Sequence, residues 1–392
     1  MSTSTLELGI DVGDLDRVLQ IDAPRSVASF LQRLGRTGRR AGVGRNALFL
    51  STTDGALLQA AGLLRLWTRG YVEPITAPPS PRHIAAQQLL ALCLQEGQVG
   101  ENTWPQWWQG LPSFDTDGPE IAHWLVSSGH LERDSGMLFI GPEAERRYGR
   151  KNFLELLSVF AASPEFRVLH GRAELGSVDP LVLTRKVLNP RIVVLAGRSW
   201  MVTSVDWKRR RCFVEPSDVR ASMGWSGATA PLSFALCRSE RDVLLGADPE
   251  VTLSRRAVDA LTDLRISRSS HITGQGTTVQ RVDDVSWWTW AGARANATLA
   301  SALSSISDPE QGYDNHRVRL RPDVTREEMA ETTAALGDLS DVRADVNEDA
   351  VRGLKFSDVL PPPLARETVA LRLTDRVHAE QVLAEPRHWR SP

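Results

Sequence analysis

The residues best suited to chemistry are the arginines of S-V-A-S-F-L-Q-R-L-G-R-T-G-R-R, residues 26 to 40. Between Pro24 and Thr53 the chain holds six arginines and no acid, so nothing near in sequence neutralises them. A guanidinium presents a rigid fork of donors that matches phosphate oxygens, and it stays charged. Gly35 and Gly38 let the backbone between the arginines approach another surface where a side chain would block it. One reading is therefore a phosphate-facing edge carrying Gln32, Arg33, Arg36 and Arg39, and the other is a solvated basic helix end. Two more cation runs carry the same pair of readings: Arg146, Arg147, Arg150 and Lys151, and then Lys208, Arg209, Arg210 and Arg211 beside Trp207. Trp207 has two readings of its own, stacking on a base or packing across strands. Hydrolytic chemistry finds no support, because no G-x-S-x-G elbow or paired-carboxylate motif gathers residues such as Ser26, His83 or Asp115.

The elements that must position the arginines are short. Ser26 is placed to cap a helix whose Val27, Phe30, Leu31 and Leu34 fall at spacings of three and four. Asp16 to Ile21 and Asn46 to Leu50 read as strands on either side of it, the beginnings of a mostly parallel sheet. Upstream, Leu6 to Val12 approaches through a Gly9/Gly13 loop carrying Glu7 and Asp11. The ordered pair T-S-T-L-E-L-G-I-D and Q-R-L-G-R-T-G-R resembles the fifth and sixth motifs of superfamily 2 helicases, in the form found in Lhr-like (large helicase-related) proteins.

The resemblance implies a role for each matching position. Arg36 and Arg39 match the arginine fingers that reach the ATP γ-phosphate from the second RecA-like lobe, and Gln32 matches the polar start of that motif near the nucleotide. Gly9 and Asp11 match the part of the fifth motif that couples nucleotide to nucleic acid. Thr3 and Ser4 match positions on a strand's phosphates, contacts that position a backbone without reading its sequence. The phosphate-cradling G-x-x-x-x-G-K-[ST] loop and the D-E-x-H motif of the first lobe do not occur in these 392 residues. The chain thus reads as the C-terminal part of an Lhr-like helicase, truncated, mis-started or made as a separate piece. ATP and Mg2+ are expected only where a complementary first lobe is present, a separate first-lobe helicase protein being one source of it.

Composition sets further bounds. A formal charge of -2 supplies no global field for nucleic acid, so contacts must come from local patches. Hydrophobic content of 42% and charged content of 24% argue for folded domains rather than disorder. Cys93, Cys212 and Cys237 are scattered and read as neither a disulfide framework nor a metal set, which fits a reducing cytoplasm. No leader pattern and no apolar run of about 18 residues points to secretion or to a membrane.

Three domains are expected: residues 1–77, a remnant of a second RecA-like lobe with a connecting helix broken at Gly62; residues 78–151, a winged helix; and residues 152–392, a β-barrel-containing domain. The first keeps few strands and is expected to be weakly stable by itself. The P-P-S-P run at 78–81 marks the first boundary. In the second, helices from His83 to Gln95, through Trp104, Trp107 and Trp108, and from Gly118 to Ser128 precede a hairpin with a Ser135-Gly136 turn. Its third helix has Asp117 and Glu120 at its start and no lysine or arginine, which disfavours reading of a duplex groove. In the third, W-W-T-W-A-G-A-R-A-N at 287–296 and the G-x-x-W and V-x-P patterns around 197–216 resemble the barrel region of Lhr-like proteins.

The fold class expected is thus multidomain α/β and α+β. The function that the resemblance implies is that of a part of an ATP-dependent 3'-5' helicase or translocase, inactive in ATP hydrolysis alone, binding single-stranded DNA or RNA. A winged-helix regulator and a structural subunit are the other two readings. The latter predicts an exposed apolar surface on the N-terminal segment.

Overall fold

The structure, a computed structural model, describes residues 15–39, 42–108, 110–157, 166–178, 192–195, 198–206, 209–217, 231–282, 284–309 and 312–390. It is a mixed α/β structure with four sheets among the described residues. The chain divides into two compact units, each discontinuous in sequence: residues 1–77, 229–345 and 373–392 form one, and residues 78–228 and 346–372 the other. One division falls at Ala77/Pro78, beside the proline linker. The 152–392 stretch, expected as one domain, is shared between the two units.

In the first unit, strand β1 (Val18–Ile21) pairs in parallel with β2 (Ala47–Leu50), in register from Val18↔Ala47 to Ile21↔Leu50. Helix α1 (Val27–Leu34) makes the crossover that parallel strands require. Alternation puts Val18 and Gln20 inward, while Leu19, Ile21, Leu48 and Leu50 stand exposed on the other face, as the structural-subunit reading anticipates. Val27, Phe30 and Leu34 are buried with Leu63, Leu64, Leu232, Leu236 and Cys237, each large apolar side chain contributing about 1.5–3 kcal/mol. Phe30 also meets Phe49 and Trp67 edge to face, at 5.1 and 5.5 Å. The arginine-bearing helix therefore rests on residues about two hundred positions downstream.

Helix α2 (Asp54–Thr68) starts at a Thr53 cap and runs unbroken through Gly62, contrary to the expected break. Gly62 is there for another reason. A Cβ on it would lie 2.9 Å from Glu240 Cγ and 3.1 Å from the Glu240 amide nitrogen, and the Gly62 carbonyl accepts from Ser239 Oγ at 2.8 Å.

The second unit begins with α3 (Arg82–Glu96), then α4 (Pro112–Asp115) and α5 (Gly118–Ser127), against a sheet in the order β3-β5-β4 (Val99–Gly100, Met137–Ile140, Leu131–Asp134). Ser135 and Gly136 both take positive φ, 48° and 78°, as a two-residue hairpin with right-handed strand twist demands. The tryptophan segment is a single 3-10 turn, Trp104–Trp108. One short turn has only one inner side, so Trp104 is buried and Trp108 stacks on Phe114 at 4.6 Å, while Trp107 is exposed. Helix α6 (Pro142–Tyr148) follows.

A five-stranded sheet follows in this unit in the order β7-β6-β10-β9-β8 (Ala173–Val178, Phe166–His170, Arg211–Pro216, Arg198–Asp206, Ile192–Leu195), and the segment 346–372 adds helical turns. A barrel would need β7 bonded to β8. Among the described residues those two strands are the free edges, so the expected barrel is an open sheet with Phe166, Val168, Val193, Trp200, Cys212 and Val214 in its core.

The first unit continues with helix α7 (Phe234–Leu244), α8 (Arg255–Ser267), and a second sheet in the order β13-β12-β11-β14 (Arg317–Leu320, Val285–Trp288, Thr277–Arg281, Arg387–Arg390), with further helices at Arg326–Ala335 and Arg376–Ala384. Helix α9 (Gly292–Ala302) leaves that sheet after a tight corner at Trp290 and Gly292, with φ of 54° and 81°. Among the described residues no helix is long and apolar enough to cross a membrane.

The close approach at Gly62 yields a test with an internal control. Gly62→Ala is expected to lose about 1–3 kcal/mol from overpacking, outweighing the roughly 1 kcal/mol that alanine adds to a helix. Gly55→Ala in the same helix meets nothing within 4 Å and is expected to be neutral or stabilising. Chemical denaturation of both variants checks the pair, and equal behaviour would show that the α2–α7 packing is not close.

Candidate functional site

The arginine edge is built by three local devices. Ser26 Oγ accepts from the Ser29 amide at 3.1 Å, and the Glu73 carboxylate accepts from the Val27 and Ala28 amides at 2.8 and 2.9 Å. Between them these groups satisfy three of the donors that a helix leaves open at its start, and Glu73 adds a negative charge where the helix dipole favours one. At the far end the Gly35 amide bonds to the Leu31 carbonyl at 2.8 Å. Thr37 then ties the chain down, its hydroxyl donating to the Leu34 carbonyl at 2.8 Å and accepting from the Asn46 amide at 3.0 Å.

Gly38 has a φ of 65°, and a Cβ there would lie 2.8 Å from the Arg45 amide nitrogen. Only glycine fits. The R-T-G-R run is thereby pressed against the start of β2, and the chain before β1 joins it through a parallel bridge from Leu15 to Thr37.

The two arginines at this end differ. Arg36 is buried, at 9% exposure, and its carbonyl accepts from the Leu15 amide at 3.1 Å. Arg39 is exposed, with Nε 3.3 Å from the Gly35 carbonyl oxygen. Gln32 is exposed on the last turn of the helix, and Arg33 reaches back to Gln20 Oε1 at 2.6 Å. Thr3, Ser4, Gly9 and Asp11 lie outside the described residues.

The other two cation runs lie in the second unit. Arg146 is paired with Glu143 one turn earlier, its Nε 3.2 Å from Oε2, which raises the guanidinium above its ordinary pKa and lowers the carboxyl. Arg147 is paired with Asp358 and lies 5.0 Å over the Tyr148 ring. Arg150 and Lys151 open the 3-10 segment Arg150–Leu157.

At the second run, Arg209 and Arg210 form the turn between β9 and β10. The Asp206 carboxylate accepts from the Arg209 amide at 2.9 Å and pairs with its side chain at 3.6 Å. Arg210 takes a φ of 52°, and Arg211 opens β10 opposite Asp206 and Arg167. Lys208 and Trp207 lie outside the described residues. Nothing cationic stands on α5, whose exposed positions include Glu120 and His123.

Sequence reasoning missed Glu73, which holds the front of the arginine helix. It also missed a buried polar cluster in the same unit. Cys237 and Glu240, one turn apart on α7, converge with His316 so that one ligand-type atom of each lies within 4.8 Å of the others. The i, i+3 spacing of the first two was visible in the sequence; the partnership with His316 was not.

Comparison with known proteins places these features. The sequence profile of the helicase conserved C-terminal domain matches residues 1–41, the arginine motif included. The chain is 40% identical over 246 residues to the Lhr helicase/uracil glycosylase of Escherichia coli, covering 57% of this chain and 15% of that protein. It is 32% identical over 252 residues to the ATP-dependent helicase Lhr-Core protein 2 of Thermococcus barophilus, covering 60% and 29%. The chain thus spans less than a third of the length of these curated relatives. Among solved structures it resembles the helicase Lhr of Mycobacterium smegmatis bound to ssDNA and AMP-PNP, with a TM-score of 0.61 and 18% identity over 99% of this chain and 56% of that one, a likeness of fold.

Removing the carboxylate that caps α1 tests how the edge is held. Glu73→Ala is expected to cost about 1 kcal/mol, with faster hydrogen exchange confined to the first turn of α1. Unchanged exchange there would show that the Ser26 cap suffices.

Proposed function

We propose that this chain, whose sequence is that of the C-terminal region of an Lhr-like superfamily 2 helicase, supplies arginine fingers and single-strand contacts to an ATP-dependent nucleic-acid motor. The observation that carries the reading is the end of α1, where Arg36 and Arg39 follow one another across a glycine-pinned turn inside the stretch that matches the helicase C-terminal domain. A motor of this kind places ATP and Mg2+ between two lobes, and guanidinium donors from the second lobe stabilise charge on the transferring phosphoryl group. Gln32, Gly9 and Asp11 stand nearest to that role in the sequence. Arg39 is at the surface; Arg36 must turn outward from its buried position to reach a nucleotide. The exposed Leu19, Ile21, Leu48 and Leu50 face supports a neighbouring segment on β1 and β2, since parallel sheets are covered on both sides.

Residues 78–151 act as a winged helix that lines a strand without reading bases. Its acidic α5 supports this over the regulator reading. Thr3 and Ser4 contact phosphates, and so do the cations at 146–151 and 208–211, on single-stranded DNA or RNA, with translocation in the 3'-5' sense.

This chain alone is expected to show no ATP turnover in a phosphate-release assay with single-stranded DNA, because no phosphate loop occurs in its sequence. Turnover near 1 per second, ordinary for enzymes, would overturn the assignment. With a matching first lobe added, Arg39→Ala and Arg36→Lys are each expected to lower the rate by about a thousand-fold. Wild-type rates in either variant would remove that residue from the role.

Binding to poly-dT by fluorescence anisotropy is expected to weaken with salt and to match binding of a mixed sequence. Changing Arg209, Arg210 and Arg211 to Ser is expected to lower the log-log salt slope by about 0.7 for each phosphate that the turn no longer neutralises. An unchanged slope would make the turn a solvated one. A duplex preferred by about 100-fold, roughly 2.7 kcal/mol, would favour the regulator.

A further inference from the structure

We propose that Cys237, Glu240 and His316 form a binding site for a divalent transition metal, zinc by the chemistry of its donors, at the junction of α7 with the loop before β13. Nothing in the helicase reading uses these residues. Cys237 and Glu240 are three positions apart, so a helix presents both on one face. Cys237 is fully buried, the Glu240 side chain is 2% exposed, and the His316 side chain is 30% exposed, which leaves the cluster one open side.

The loop that brings His316 is fixed at several points. Asp314 Oδ1 accepts from the His316 and Arg317 amides at 2.8 and 3.1 Å. The buried Asn296 donates to the Asp314 carbonyl at 2.8 Å, and Asn315 Oδ1 accepts from the Leu232 amide at 3.0 Å. Asn296 ends the W-W-T-W-A-G-A-R-A-N motif, and Leu232 lies just before α7. The motif therefore sets the distance between the two halves of the cluster.

Geometry and charge both suit zinc. With legs of about 2.0–2.3 Å, a tetrahedral zinc holds its ligand atoms roughly 3.3–3.8 Å apart. The three donor atoms all lie within 4.8 Å of one another, and His316 Nε2 is 2.6 Å from Glu240 Oε2. Shifts of about an ångström convert one arrangement into the other.

A thiolate with an imidazole selects a late first-row metal over magnesium or calcium. The Gly292 amide donates to the Asn315 carbonyl at 2.8 Å, which holds the start of α9 against the loop that carries His316. That approach is open because Gly292 has no side chain; a Cβ there would lie 2.5 Å from the Leu232 carbonyl oxygen. Zinc would displace two protons, one from the thiol and one from the histidine–glutamate pair. Thiolate, carboxylate and dication then sum to zero inside the core, where an unbalanced charge is costly. Because Gly62 admits Glu240, the metal would clamp α2, and with it the arginine segment, to α7.

The test uses the whole chain, stripped with chelator and titrated with Co2+ and then Zn2+. One equivalent of zinc is expected by elemental analysis, and the cobalt form is expected to show thiolate-to-metal charge transfer. Cys237→Ser should abolish that absorption, His316→Gln should weaken zinc binding by about 100-fold or more, and Cys212→Ser should change neither. The proposal is overturned if the chain retains no stoichiometric zinc, or if the absorption survives in Cys237→Ser. Should Cys237→Ser not fold, the part-exposed His316→Gln variant decides, and zinc affinity within about three-fold of wild type in it also overturns the site, leaving a hydrogen-bonded ion pair beside an inert thiol.

Discussion

Helix α2 can lie on α7 only because residue 62 has no side chain. With Glu240 Cγ 2.9 Å from where a Cβ would be, the two helices pack at a distance that any other residue would widen. The consequences run in both directions along the chain. On one side Leu63 and Leu64 join the core that seats α1 and its arginines. On the other, Glu240 is pressed inward, where it can be tolerated only as the partner of His316. The described strands β1 and β2 form only a two-stranded sheet, and this contact lends α1 beside them the core of another part of the chain.

Electrostatics separate the sites that remain available to phosphate from those already committed. Arg146 and Arg147 each have a carboxylate at hand, so a phosphate must compete with Glu143 and Asp358 for them. Exposed pairs of this kind are screened by solvent and weak, so a polyanion can displace them. The β9–β10 turn holds one such acid, Asp206, beside Arg209, Arg210 and Arg211. Across 99–134 the balance reverses, with six acids against Arg133, itself paired with Glu101 at 2.9 Å. The positive charge of this unit is thus concentrated outside residues 99–134.

The buried polar network around 289–317 follows the rule that interior polar groups must be paired. Thr289 Oγ1 donates to Asn296 Oδ1 at 2.6 Å, and Trp290, at a φ that costs a bulky residue about 1–3 kcal/mol, donates its amide to the His316 carbonyl at 2.8 Å and its indole to the His271 carbonyl at 3.1 Å. Burial alone would lower the His316 pKa, yet the carboxylates of Glu240 and Asp314 raise it. Burial would raise that of Asp314, yet His316 and Arg317 lower it. Each group thus favours the charged form of the other.

What the sequence alone determined was local. Ser26, Thr53, Ser254 and Thr325 cap the helices where their hydroxyls fall, and the Ser135-Gly136 pair turns its hairpin. Spacing of three and four identified the buried side of α1, and the ordered arginine and glycine motif carried the resemblance that the helicase C-terminal domain profile matches over residues 1–41. These features depend on residues within one or two turns of each other, so they survive in a one-dimensional reading. Tertiary structure decided the rest: that Gly62 continues a helix instead of breaking it, that Glu73 caps α1 from 45 residues away, that the strands at 166–216 form an open sheet, and that His316 meets Cys237 and Glu240. Each of these is a contact between elements distant in sequence, fixed by which surfaces pack together, and spacing along the chain holds no record of that.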